Sequence, residues 1–153
     1  MEKFDHIVLG SGIAGLTYAL KAAAHGKVAV VTKRAKTTTN TAWAQGGVAC
    51  VTSPEDSFEL HIKDTLEAGA GLCHEDIVNL VVREGPERIR ELIELGMSFD
   101  LRETPEGGTE LDLGREGGHS KRRILHAHDF TGLEIEKTLV AAVEKHPSIT
   151  VLE

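Results

Sequence analysis

The stretch DHIVLGSGIAGLTYALKAAAHGKVAVVTK, residues 5–33, decides the fold. Its apolar run His6–Leu9 enters a glycine turn at residues 10–15, a helical pattern follows until Gly26, and a second apolar run covers Val28–Val31. A strand, a GxGxxG turn, a helix and a strand in this order are the context of a dinucleotide-binding fingerprint. We therefore predict an α/β fold with a Rossmann-like parallel sheet.

The three glycines of the turn have separate roles in such a fingerprint. Gly10 permits a tight turn, Gly12 lets the backbone approach a pyrophosphate at the positive end of the helix, and Gly15 lets the helix pack close to the strand. Lys33 follows the second strand, where a dinucleotide fold usually carries an acid that holds a ribose hydroxyl. A cation suits a phosphate or another acceptor better than a ribose diol, which argues against NAD as the ligand of this fold. The alternative is a βαβ unit whose glycines serve packing only.

The composition is that of an ordinary globular protein. Of the 153 residues, 41% are hydrophobic, enough for one domain with a core. A formal net charge of −7 disfavours nucleic acid or an anionic membrane surface as a partner. Cys50 and Cys73 show neither a disulfide framework nor metal spacing, and no apolar run approaches the ~18 residues that span a bilayer. The N-terminus does not resemble a signal peptide, so we expect a reduced, cytoplasmic location.

Small residues surround the single tryptophan, Trp43. The pair Gly46-Gly47 beside it would let the backbone pass close to a flat ligand, although a plain turn into a strand over residues 47–51 explains the pair equally well. Apolar stripes predict core helices over 54–71, over 75–84 and from Pro86 to Gly96.

The last third of the chain contains an unusually polar stretch, residues 115–129. Its histidines, arginines and carboxylates, with exposed glycine backbone, indicate an anion or substrate site. A solvated loop with its own ion pairs is the alternative, and His126 with His128 could also begin a zinc site, for which no further ligands are evident. Next, Thr131 and Glu134 predict a capping box that opens a helix, and residues 149–152 predict another strand of the same sheet.

Three motifs together resemble a known family: GSGIAGL at 10–16, TNTAWAQGGVA at 39–49 and REGGHSKRRILHAHDFTG at 115–132. They are similar to the flavoprotein family of succinate dehydrogenase, fumarate reductase and L-aspartate oxidase, and closest to its L-aspartate oxidases. The resemblance covers essentially the whole chain. It implies oxidation of L-aspartate to iminoaspartate with FAD, reoxidation by oxygen or fumarate, and transfer of iminoaspartate to quinolinate synthase in the de novo synthesis of NAD.

The resemblance also implies which residues contact the cofactor. Membrane-bound relatives carry a histidine, covalently bonded to FAD, shortly before AQGG, and Asn40 stands at that place here. Because asparagine cannot form that bond, we expect non-covalent FAD. The implied FAD-binding residues are Gly10, Ser11, Gly12, Ile13, Ala14, Gly15, Lys33, Asn40, Thr41, Ala42, Trp43, Ala44, Gln45, Gly46 and Gly47.

Glu116 and His119 are the implied substrate-binding residues. A carboxylate at position 116 suits an amino-acid substrate, because it can pair with an ammonium group that succinate lacks. The family carries its acid/base arginine on a capping domain, so we expect no catalytic residue in this chain. We expect residues 1–153 to form the N-terminal part of the FAD-binding domain, without the capping and C-terminal helical domains, and to be inactive alone. A soluble fumarate reductase and a non-catalytic dinucleotide-binding module are the alternatives.

Overall fold

The computed structural model describes residues 2–33 and 35–153. In chain order its elements are β1 (His6–Leu9), α1 (Ile13–Ala22), β2 (Val28–Val31), α2 (Asn40–Trp43), β3 (Val48–Ala49), α3 (Phe58–Ala68), α4 (Glu75–Glu94), β4 (Leu101–Glu103), β5 (Thr109–Leu111), β6 (Leu113–Gly114), β7 (Ile124–Leu125), α5 (Thr131–Lys145) and β8 (Ile149–Leu152). They form two compact units. The first comprises the residues up to Gln45, Leu95–Met97 and Phe130–Glu153, and the second comprises Gly46–Glu94 and Ser98–Asp129.

The first unit is built on a parallel sheet with the strand order β1-β2-β8. His6 pairs with Val28, and Val28 pairs with Ile149, so β2 is the central strand. Its residues Val28, Ala29 and Val30 are all buried, as expected for a parallel strand that is covered on both faces of the sheet. The predicted α/β fold with a parallel sheet is confirmed, and so is the prediction that residues 149–152 extend that sheet.

Helix α5 begins differently from the sequence prediction. Thr131 does not cap it; Phe130 is the N-cap residue and provides no side-chain hydrogen bond, while Thr131 lies inside the helix and is buried. A backbone hydrogen bond takes the place of the side-chain cap, since the amide of Gly132 donates to the carbonyl of Ala44 at 3.1 Å. A first-turn amide therefore finds its partner in the residue after α2.

The second unit contains a small antiparallel sheet and two helices. Its sheet has the strand order β3-β7-β6, and β4 pairs with β5 in a separate hairpin. Helix α3 is shorter than predicted: it begins at Phe58, where the hydroxyl of Ser57 caps it by accepting a hydrogen bond from the amide of Leu60 at 3.2 Å. Gly69 follows its last residue, so the helix also ends three residues before the predicted end at 71.

Helix α4 is a single helix of 20 residues, so the predicted break before Pro86 is wrong. Proline is common at the first position of a helix, which favoured a new start there. However, Val82 and Ile89 are both buried and are spaced by two helical turns on either side of Pro86. Burial of these two side chains outweighs the local preference of proline, whereas Ile77, Leu80 and Val81, which the apolar stripe predicted to face the core, are exposed. No helix in the described residues is long and apolar enough to cross a membrane.

Candidate functional site

The glycine turn joins β1 to α1 in the first unit. Gly10 has a φ of +103°, a conformation that residues with a side chain rarely adopt, and its amide donates to the carbonyl of Val31 at 2.8 Å. A Cβ on Gly15 would overlap the carbonyl of Gly10. These two glycines thus allow the turn to close and the helix to approach the strand, as the fingerprint predicts.

The N-terminus of α1 is open and faces residue 41. Its cap residue, Gly12, contributes no side-chain hydrogen bond, and the amide of Ile13 donates to Oγ1 of Thr41 at 3.0 Å. The amides of Ala14 and Gly15 have no partner among residues 2–33 and 35–153. Free amides at the positive end of a helix attract an anion such as phosphate.

A cavity of about 650 Å³ lies over this helix end. Its lining residues are Leu9, Gly10, Ser11, Gly12, Val31, Thr32, Lys33, Thr38, Thr39, Asn40 and Thr41. Three separately predicted groups, the glycine turn, Lys33 and the Asn40–Thr41 pair, therefore meet in one place. Within the described lining Lys33 is the only charged side chain, which favours phosphate groups over a ribose diol.

The side chain of Ser11 connects two segments at the edge of this cavity. The residue is buried, and its hydroxyl donates to the carbonyl of Lys36 at 2.9 Å. The segment after β2 is thereby fixed beside the glycine turn. Ser11 can consequently offer a ligand its backbone more readily than its hydroxyl.

Trp43 lies at a second, smaller hollow of about 270 Å³ in the same unit. The indole is 76% exposed, and Phe130, another lining residue, is 55% exposed. Ala42, Ala44 and Gln45 also line the hollow. Exposed aromatic faces with small neighbours suit contact with a flat ring system.

Glu136 is a residue that the sequence analysis missed. It is fully buried in α5, and burial raises its pKa while an interaction with the Thr39 hydroxyl opposes the shift in part. Thr39 caps α2, the helix that carries Asn40 and Trp43. The amphipathic pattern of α5 gives no signal that one glutamate faces inward.

Gly46 and Gly47, the remaining predicted cofactor residues, belong to the second unit. A Cβ on Gly47 would overlap the side chain of Ile124 and the carbonyl of Leu125, so the β3–β7 pairing itself requires glycine there. A Cβ on Gly46 would meet no atom within 4 Å in the described part of the chain, its own chain neighbours aside. Packing therefore explains Gly47 without a ligand, which is the alternative that the sequence left open.

Glu116 and His119 form one turn of the second unit. The amide of His119 donates to the carbonyl of Glu116 at 3.3 Å, and Gly118 between them has a φ of +83°. The Glu116 side chain is exposed, and its carboxylate has no partner in the described part of the chain. This carboxylate is free to bind a cationic group.

Next to His119 lies an ionic cluster of Asp56, Asp64 and Arg123. Arg123 belongs to the polar stretch that the sequence singles out, whereas the two aspartates were not predicted. The guanidinium of Arg123 is fully buried; it donates to Asp56 at 2.8 and 2.7 Å and to Asp64 at 2.6 Å. Asp64 also accepts the amide and the hydroxyl of Ser120, both at 2.8 Å. Burial opposes ionisation of Asp64, but these hydrogen bonds outweigh it and lower its pKa to about 2.

His126 and His128 do not share a strand face, because β7 ends at Leu125. Nδ1 of His126 lies 2.9 Å from Asp100, whose carboxylate also accepts the amide of His128 at 2.8 Å. Burial opposes ionisation of Asp100, but these contacts lower its pKa. Residues 2–33 and 35–153 contain no group of three or more His, Cys, Asp or Glu side chains that could hold a metal ion.

Comparison with known proteins finds one matching family and several similar sequences. The FAD binding domain family matches residues 5–153. L-aspartate oxidase 2-a, chloroplastic, of Nicotiana tabacum is 58% identical over 150 residues, covering 98% of this chain and 23% of that protein. L-aspartate oxidase of Vibrio cholerae is 45% identical and matches 97% of this chain and 28% of its own length. The chain therefore spans about a quarter of the curated relatives it matches.

Solved structures extend the likeness to the fold. E. coli quinol fumarate reductase superimposes with a TM-score of 0.86 at 33% identity, over 97% of this chain and 25% of that chain. The Mycobacterium smegmatis Sdh1 complex superimposes with a TM-score of 0.82 at 32% identity, over 97% of this chain and 27% of that chain.

Proposed function

Because this chain belongs to the FAD binding domain family, with FAD as the cofactor, we propose that it is the first part of the FAD-binding domain of an L-aspartate oxidase. Identity of 44–58% to proteins of that name over nearly the whole chain is the observation that carries the proposal. Because the chain spans about a quarter of those relatives, the activity belongs to the complete protein that carries these residues.

The residues of the cavity fit FAD. The open α1 amides and Lys33 would hold the diphosphate, and the absence of a side chain on Gly12 leaves room for it. When bound, FAD accepts the two electrons that leave an amine as it becomes an imine. Asn40 and the exposed Trp43 would contact the cofactor at the α2 side of the cavity.

The substrate in this proposal is L-aspartate, which is oxidised to iminoaspartate. The free carboxylate of Glu116 would pair with its ammonium group, and His119 on the same turn would bind another part of it. Oxygen or fumarate would reoxidise the flavin, and the likeness to a quinol fumarate reductase supports fumarate. Iminoaspartate would then pass to quinolinate synthase, the next step towards NAD.

The decisive experiment is anaerobic reduction of the flavin in the complete protein. L-aspartate should bleach the flavin absorbance, and oxygen or fumarate should restore it, while succinate should have no effect. Bleaching by succinate alone would indicate the second candidate, a fumarate reductase, whose solved structures share this fold. A flavin that neither compound reduces would indicate a non-catalytic nucleotide-binding module.

Asn40 leads to a prediction about how FAD is held. Heat or acid denaturation of the complete protein should release all FAD into the supernatant, because an asparagine side chain has no nucleophile that could form the flavin bond. Flavin fluorescence of the supernatant and of the washed precipitate measures this release. Fluorescence that stays with the precipitate after washing would contradict non-covalent binding.

The two cysteines are consistent with a reducing, cytoplasmic location, which we include in the proposal. Both are free thiols. Burial raises the pKa of Cys50 to about 11, so its thiol is unreactive at neutral pH. The plant relatives carry the word chloroplastic in their names, so the compartment can differ among relatives.

A further inference from the structure

The contact between Arg123 and His119 determines which histidine nitrogen carries a proton. Nη1 of Arg123 lies 3.3 Å from Nδ1 of His119. A guanidinium has five donors and no acceptor, so this contact requires a lone pair on Nδ1. A neutral His119 must then carry its proton on Nε2, across the ring. A doubly protonated His119 would lose the contact.

Arg123 cannot turn away from His119 without leaving a buried charge unpaired. Its Nε and Nη2 engage the two oxygens of Asp56, while the same Nη1 that faces His119 also donates to Asp64. Asp64 in turn holds Ser120, the neighbour of His119 in the chain, through both its amide and its hydroxyl. The cluster therefore fixes the guanidinium and the backbone beside His119 together.

The other neighbour of the ring is His61. The two ring centroids lie 5.7 Å apart, with the planes tilted by 57°. His61 is buried, and burial together with the charge of Arg123 lowers its pKa. His61 therefore stays neutral near pH 7, and the cation that contacts the His119 ring in the described part of the second unit is Arg123.

We propose that Arg123, held by Asp56 and Asp64, is a positioning residue that fixes His119 as a neutral hydrogen-bond donor through Nε2. No partner of Nε2 exists among residues 2–33 and 35–153, so the donor is available to a ligand. This inference rests on the proposed function and deepens it. Glu116 would bind the ammonium of L-aspartate, while His119 would donate to one of its carboxylates, so the turn would select a substrate with both groups.

The first test needs no substrate. In the complete FAD-containing protein labelled with ¹⁵N-histidine, long-range ¹H–¹⁵N spectra at pH 7 should show His119 as the Nε2–H tautomer. The signals of His119 are identified by their absence from the His119→Gln variant.

In the Arg123→Lys variant, one ammonium group cannot donate hydrogen bonds to both aspartates and to the ring at once. His119 should therefore become a mixture of the two tautomers. Arg122→Lys is the matched control, since Arg122 is exposed and, among the residues that the structure describes, its side chain bonds only the carbonyl of Leu113. An Nδ1–H tautomer or an imidazolium in the unmodified protein overturns the proposal.

The second test uses His119 variants and does not depend on Arg123→Lys folding. His119→Gln keeps a donor and an acceptor, whereas His119→Leu keeps neither. We expect His119→Leu to raise the KM for L-aspartate about 10-fold with kcat nearly unchanged, and His119→Gln to raise it by less than about 3-fold. Equal effects of the two variants overturn the donor role. Absence of any L-aspartate oxidation refutes the proposed function instead, and the tautomer result then stands by itself.

Discussion

Gly12→Val should remove FAD from the complete protein, with a loss of affinity of at least about 100-fold, or ~2.7 kcal/mol. An added Cβ would lie 3.3 Å from Oγ1 of Thr41, the atom that accepts the amide of Ile13, and the two methyl groups of valine reach further into the cavity. They would occupy the space where the diphosphate must approach the free amides of α1. Flavin absorbance per protein after gel filtration and titration of the apoprotein with FAD measure the loss.

Gly117→Ala is the matched control for this substitution. Beyond its chain neighbours, no atom of the described residues lies within 4 Å of a Cβ added to Gly117, and its φ is not positive. Its alanine variant should keep stoichiometric FAD. Circular dichroism should show native helix content for both variants, which separates loss of the cofactor from loss of the fold. A Gly12→Val protein that purifies fully yellow would disprove the assignment of the fingerprint.

Glu116→Gln should lower kcat/KM for L-aspartate by about 10-fold to 100-fold and leave fumarate reduction nearly unchanged. A hydrogen bond between charged groups is worth about 1.5–3 kcal/mol, and each 1.4 kcal/mol is a factor of ten in rate. Fumarate has no ammonium, so it gains nothing from this carboxylate. Steady-state kinetics with each substrate on the same preparation tests the difference.

Glu106→Gln removes the same charge from another exposed position of the second unit and serves as the control for Glu116→Gln. Its kinetics should match those of the unmodified protein. Equal losses for L-aspartate and fumarate in Glu116→Gln would mean that Glu116 organises its turn rather than binds the ammonium. The backbone carbonyl of Glu116, which accepts from His119, would then be the important part of the residue.

The sequence predicts the parallel sheet and the glycine turn because their signals are local. Strand, turn and helix of residues 5–33 are adjacent in the chain, and Gly10 and Gly15 are required by backbone geometry within that segment. Lys33 and Asn40 are likewise close enough in sequence to be assigned to the same cavity. Local spacing and backbone geometry were sufficient for these elements.

The ionic cluster could not be predicted in this way. Arg123 bonds to Asp56 and Asp64, which lie 67 and 59 positions away along the chain, and nothing in the helical pattern around Asp64 distinguishes it from a surface acid. The predicted capping role of Thr131 is wrong for a similar reason, because a first-turn amide of its helix donates to the carbonyl of Ala44. Long-range pairs decide these positions, and a single sequence contains no signal for them.

Pro86 within α4 has a consequence for the local stability of the second unit. Proline has no amide hydrogen, so the carbonyl of Val82 lacks its helical partner, and the ring crowds that carbonyl. Burial of Val82 and Ile89 keeps the helix intact, yet one of its backbone hydrogen bonds is missing near the centre. Transient openings of α4 will therefore start around residues 82–86, and the amide protons of residues 82–85 will exchange with solvent sooner than those of either flanking half.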